Sequence, residues 1–280
     1  MLIATRPRLL LSVARDPMAM AAGLIVLTLV TVALTAQWVA PFEPNNGDLG
    51  RAFAAPGPTN LLGTDSQGRD ILSRLIHGLR LTFLVSLTSV VLGGTVGAAI
   101  GLIAAFYRQW DGVLMRLIDV LLSFPEILVA LVLATLIGPG LTSTVLAVSL
   151  ATVPGTARIA RSAALVVMSL DYMEAGRAIG LRQGRLIFRY LLPNCFSSIG
   201  TIMTLRIGQA ILIMSSLSFL GLGAQPPTAE LGNMASQGLQ FFFIAPHLAI
   251  VPSLLIMLLV LAFNVLGDAL RDVLDPRFNR

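Results

Sequence analysis

Lysine is missing from this chain, whose nineteen basic residues are all arginine. A phosphate-cradling G-x-x-x-x-G-K-[ST] loop needs that lysine, so nucleotide binding by this device is excluded. Charge of either sign is also scarce, at 12% of the 280 residues, against about 25% in soluble domains. With 56% hydrophobic residues and a mean hydropathy of +0.85, too little polar surface remains to face water. The composition is that of an integral membrane protein. The one cysteine, Cys195, excludes an internal disulfide, and its place at the start of an apolar run suits packing. The two histidines, His77 and His247, lack metal-ligand spacing. No paired histidines, nucleophile elbow or carboxylate dyad marks an embedded enzyme. Exclusive use of arginine fits anionic-lipid or phosphate binding or, more simply, a bias of genome composition. The net charge of +5 is better explained by membrane topology than by nucleic acid.

A bilayer core takes roughly 20 apolar residues of helix. Six segments answer: 18–40, 81–106, 113–137, 142–160, 195–220 and 247–267. The fourth is the weakest, because Pro154 interrupts it and Arg158 and Arg161 follow early. Both arginines can snorkel to an interface. Arg6, Arg8 and Arg15 precede the first span as in a secretory signal, but its apolar core is too long and "TAQWVAPFEP" is a poor cleavage site. An uncleaved helix is expected. With the N-terminus inside, the inner segments hold fourteen arginines, Arg177, Arg182, Arg185, Arg189, Arg277 and Arg280 among them, and the outer ones only Arg51, Arg69, Arg74 and Arg80. The positive-inside rule therefore places both termini in the cytoplasm.

Three local patterns stand out. Gly93, Gly97 and Gly101 recur every four residues, one face of a helix that a neighbour can approach closely. In 171–194, "DYMEAGRAIGLRQGRLIFRYLLPN", Asp171 and Glu174 have capping-box spacing and Gly180 is placed to end a helix. Tyr172, Ala175, Gly176 and Ile179 share one face, and a second short helix, 183–192, is expected to stop at Pro193. This hairpin reads as an amphipathic element on the membrane surface or as a docking knob, whose small residues Ala175 and Gly176 admit a partner backbone; tethering between two spans argues against a DNA-binding helix-turn-helix. Outside, residues 41–62, with Pro41, Pro44, Pro56 and Pro58, read as an extended loop, and Asp70 caps a helix carrying Ile71, Leu72, Leu75, Ile76 and Leu79. That helix is either an interfacial anchor or a lip at the outer mouth.

Charges inside spans are few. Arg206 either meets an anionic group of a solute, such as a peptide carboxylate, or bridges statically to Glu126 or Asp119 of the third span; the bridge is the commoner fate of a buried charge. Pro125 beside Glu126 is a candidate kink.

The hairpin string "EAGRAIGLRQGRLIFRYLLP" resembles the EAA loop of ABC-importer permeases. Glu174, Ala175, Gly180, Leu192 and Pro193 match; Gly176 replaces the usual second alanine, and Tyr190 stands where an aliphatic or histidine is usual. "LLGTDSQGRDILSRLIHGLR", "FPEILVALVLATLIGPGL", "SSLSFLGLGAQPPTAELGNM" and "LAFNVLGDALRDVLDPR" are similar, in order, to the C-type subunit of the dipeptide, oligopeptide and nickel permeases. The resemblance covers about residue 60 to the C-terminus.

That resemblance implies an all-α bundle of the type I ABC-importer permease kind in the bacterial inner membrane. Its parts are an N-tail and first span over 1–40, an extracytoplasmic loop with an interfacial helix over 41–80, and a core of five spans over 81–280. It implies a non-catalytic permease subunit with no cofactor of its own, ATP and magnesium being held by partner ATPases. The partners are a homologous B-type permease subunit, two ATP-binding cassette subunits and an extracytoplasmic solute-binding protein. Asp171, Glu174, Ala175, Gly176, Gly180, Leu192 and Pro193 would form the ATPase-coupling loop, and Gly63, Thr64, Asp65, Gly68, Arg69 and Asp70 the outer scoop. Di- or oligopeptides are the default solute; a nickel or metal chelate, glutathione or an opine is the alternative. A stand-alone secondary transporter would show more intramembrane charge and paired broken helices.

Overall fold

The computed structural model describes residues 16–274; Arg6, Arg8, Arg15, Arg277, Arg280 and the end of the "LAFNVLGDALRDVLDPR" string lie outside the described residues. Regular structure among the described residues is helical, apart from isolated bridges at Gly47–Arg69 and Thr64–Asp70. Helix α1, Pro17–Leu34, starts where the Asp16 carboxylate accepts the Met18 N–H, with proline in the first turn. Helix α2, Ile71–Phe106, is 36 residues long, about 54 Å at 1.5 Å per residue, against a hydrocarbon core of about 30 Å. It is thus longer than one crossing needs. The helix expected over 70–80 is continuous with the second span in α2.

The expected third span, 113–137, is not one helix. It divides into α3, Arg108–Leu122, and α4, Glu126–Ile137, which meet at 90°. Pro125 has no N–H to continue α3 and disfavours helical backbone at Phe124. Its carbonyl instead accepts the Leu128 and Val129 N–H groups and starts α4. The fourth span, expected to end near 160, is α5, Leu141–Met168. Arg158 and Arg161 do not stop it because each is paired, to Asp119 and Asp111 of α3. Beyond it come α6, Asp171–Ala178; α7, Gln183–Phe219; α8, Leu231–Leu239; and α9, His247–Leu274. Five helices (α1, α2, α5, α7, α9) are long and apolar enough to cross a membrane, six if α3–α4 is one bent span.

The α2–α5 seam is built by the glycine stripe. A Cβ at Gly93, Gly97 or Gly101 would fall within 3.0 Å of the carbonyl oxygen of Ser149, Val153 or Ala157 respectively. Two periods of four thus mesh backbone to backbone, as in small-residue interfaces in lipid. Elsewhere Ile71, Leu75 and Leu79 of α2 pack with Ile211 of α7, Leu231 of α8 and Leu259 and Phe263 of α9. The chain order gives the bundle two ends: one carries α6 and the α2–α3 corner, the other the 35–70 loop and the 220–246 segment.

Candidate functional sites

Helix α6 is short and half buried. Met173 and Gly176 face inward; Asp171, Tyr172, Glu174, Ala175, Arg177 and Ile179 are exposed. The capping expected of Asp171 is not made: Leu170 occupies the N-cap, without a side-chain hydrogen bond, and Asp171 and Glu174 both lie in the first turn. There they favour the helix through its dipole. At the other end Gly180 adopts φ +75°. The Gly180 N–H donates to Arg177 O and the Leu181 N–H to Gly176 O, each at 3.0 Å, the paired bonds of a Schellman cap. Gly176 is not on the exposed stripe. A Cβ there would meet Leu186 at 2.9 Å and Leu181 at 3.3 Å, so its smallness lets α6 close on α7.

The second helix of the hairpin does not stop at Pro193. It passes through a π-helical turn, Leu186–Leu191, directly into the long body of α7. The Leu192 N–H donates to Ile187 O, five residues back. This wide turn receives a proline that supplies no donor and whose ring crowds the carbonyl four residues earlier. Leu192 is half-buried, Pro193 exposed. The second helix of the hairpin is thereby continuous with the body of α7.

At the opposite end the G-T-D-x-x-G-R-D segment is a folded knot. Asp65 accepts the backbone N–H of Gln67 and Arg69 and the Arg69 Nε at 2.7 Å, with Arg74 Nε 3.5 Å away. Asp70 caps α2 as expected, taking the Ser73 N–H at 2.8 Å, and its other oxygen accepts Asn60 Nδ2 at 2.8 Å. Thr64 accepts the Ala54 N–H and donates to Arg51 O. Gly63 and Gly68 have φ of +81° and +72°, and a Cβ on either would strike backbone. Arg74, which served the sequence reading only as an outer charge, is buried and donates to Pro44 O and Pro227 O. It ties the loop to the 220–230 segment. Exposed Leu49 and Leu61 lie on the loop outside this knot.

Beside that segment is Glu230, which the sequence reading missed. It is fully buried and takes the Gly232 and Asn233 N–H groups at 3.0 and 2.9 Å, capping α8. Burial pushes its carboxyl above the usual range, and the two N–H bonds oppose the shift. Glutamate is an uncommon N-cap, so capping rules based on Ser, Thr, Asp and Asn pass over it. Within the bundle, Arg206 Nη1 of α7 donates to Glu126 Oε1, the first residue of α4, at 2.5 Å. The guanidinium lies on Gly155, where a Cβ would overlap it. Asp119 pairs instead with Arg158, and Asp111 receives two bonds of 2.6 Å from Arg161. Three carboxylates on the bent pair are thus held by three arginines of α5 and α7.

The fold and sequence were compared with known proteins. Residues 97–280 match the family described as binding-protein-dependent transport system inner membrane component, and residues 12–56 match the N-terminal transmembrane domain of oligopeptide transport permease C. The chain is 44% identical to the glutathione transport system permease protein GsiD of Pectobacterium atrosepticum, over 94% of this chain and 88% of that one. Its identity to the Escherichia coli protein of the same name is 42%, with equal coverage. Among solved structures it resembles an inward-facing MetNI methionine ABC transporter, with TM-score 0.59 and 19% identity over 72% of this chain and 97% of that one. It also resembles an amino acid ABC transporter crystallised with histidines, with TM-score 0.53 and 17% identity over 70% and 92%. On these matches the chain belongs to the binding-protein-dependent inner membrane components, the ABC-importer permeases, within the dipeptide and oligopeptide permease C group.

Proposed function

We propose that this chain forms half of the solute path of an ATP-driven importer and receives its motion from an ATPase subunit docked on the α6–α7 hairpin. The observation that carries this reading is the exposed stripe of Tyr172, Ala175 and Ile179 on a helix whose other face is fixed to its own chain. Ala175 leaves room for a partner backbone, with exposed Glu174 beside it. Because α7 continues from the hairpin without a break, closure of an ATPase dimer would move hairpin and span as one body between two states. ATP and magnesium belong to those partner subunits, and this chain carries no reaction.

The α6 end is assigned to the cytoplasm on charge. Arg108, Arg161, Arg177, Arg182, Arg185 and Arg189 lie there, and Arg51, Arg69, Arg74 and Arg80 toward the other end. A B-type permease subunit supplies the second half of the path. A solute-binding protein meets the outer mouth, where the knot of Asp65, Arg69 and Asp70 holds a lip whose contact residues include Leu49 and Leu61. Arg206 with Glu126 is read as a static bridge.

For the solute, the names of the relatives favour glutathione over longer peptides. Glutathione is itself a small peptide with carboxylates, so both readings share one chemical class. The test is purification of the chain with its partners, followed by mass spectrometry of the ligand on the binding protein. A co-purifying ATPase and bound glutathione or a short peptide are expected. A nickel chelate alone would reject the peptide class, and absence of any ATPase would reject the importer.

A further inference from the structure

Between the α6–α7 hairpin and the α2–α3 corner the bundle leaves a cleft of about 630 Å3. Its lining carries three guanidinium groups, Arg108 of α3, Arg161 of α5 and Arg177 of α6, against one carboxylate, Asp111. Both Asp111 oxygens are already engaged by Arg161. Arg177 lies over the Phe106 ring, 6.0 Å from its centroid. Among the described residues neither Arg177 nor Arg108 has a carboxylate within ion-pair distance. Two guanidinium groups without a direct ion pair therefore line one cavity.

The rest of the lining is of a different character. Phe106, Leu165 and Met168 give it accessible apolar surface, for which a free inorganic anion has no use. Guanidinium groups beside accessible apolar side chains in one cleft suit an amphiphile, with phosphate oxygens on the guanidinium forks and carbon on the apolar side chains. The cleft also lies where α2 ends and α3 begins, at the arginine-rich end that the proposed function places against the cytoplasmic leaflet, where anionic headgroups are at hand. We propose that this cleft binds the phosphate of an anionic phospholipid headgroup, which bridges the hairpin to α3. The proposal does not depend on ATPase docking.

The test uses the full assembly in nanodiscs with spin-labelled phosphatidylglycerol or phosphatidylcholine. A motionally restricted phosphatidylglycerol component exceeding that of phosphatidylcholine is expected. At about fivefold per arginine, Arg108→Gln with Arg177→Gln should weaken it about twenty-fivefold. Arg116→Gln, an exposed arginine of α3 outside the cleft lining, should leave it unchanged. Asp111→Asn frees Arg161 and should strengthen it, which keeps the idea testable should the double variant fold poorly. In a parallel arm, inorganic phosphate is titrated into the assembly in phosphatidylcholine discs. Binding there that the double variant loses would assign the same site to soluble phosphate. No preference for phosphatidylglycerol together with no phosphate binding overturns the proposal, as does an equal loss in Arg116→Gln.

Discussion

Gly180 shows what one residue decides. Its φ of +75° is left-handed, and nothing lies within 4 Å of a Cβ built there. The constraint is in the backbone alone, at about 1–2 kcal/mol for an ordinary L-residue. Gly180→Val should therefore lower ATP-driven uptake severely while the protein still inserts and binds detergent as a folded monodisperse species. Gly180→Asn, a tolerated left-handed residue, should keep most uptake. Equal activity of the two would remove the turn from the coupling path. Position 180 was legible in the sequence because a glycine after a helical run has that use. The inward orientation of Gly176 was not, since Ala175 and Gly176 are both small and only Leu186, folded back from α7, distinguishes them. The charge at 206 is a second residue-scale test. Arg206 and Glu126 retain 11% and 32% side-chain exposure, so breaking the pair should cost about 2 kcal/mol, less than a fully buried pair. In thermal unfolding, Arg206→Gln and Glu126→Gln should each lower the midpoint and the double variant should recover part of the loss. If the double variant loses the sum of both, Arg206 has another partner.

At the scale of elements, the α2–α5 seam and α3 use glycine for opposite reasons. Gly97 is pressed against Val153 O, whereas Gly112 on α3 has open space around it. Gly97→Ala should destabilise by about 2 kcal/mol through overpacking. Gly112→Ala should be neutral or stabilise by up to about 1 kcal/mol, because alanine is the better helix former. Yield of monodisperse protein and its melting temperature check both; a tolerated Gly97→Ala would mean that the seam is loose. The stripe was readable from period four alone. The break in the third span was only half readable: Pro125 announces a kink, but 90° depends on α3 being held to α5 by Arg158 and Arg161 and on α4 being held to α7 by Arg206.

For the whole molecule, orientation is the property that charge counts imply and labelling can measure. In a Cys195→Ala background, Leu61→Cys and Ile179→Cys place single thiols at the two ends, both at exposed positions. A membrane-impermeant maleimide should label Leu61→Cys in intact spheroplasts and Ile179→Cys only in inverted vesicles. The reverse pattern would turn the molecule over and remove the hairpin from the ATPase side.

Composition, span lengths and the ordered motifs determined from sequence alone that this is a helical membrane permease, because hydrocarbon demands long apolar helices and leaves few other solutions. The tertiary structure decided what those rules do not encode. It joined the hairpin to α7 through a wide turn, made the outer motif a knot closed by Arg74, and paired Arg158, Arg161 and Arg206 each with a carboxylate. The last two depend on contacts between residues from 30 to 153 positions apart, whereas periodicity and capping report only on neighbours along the chain.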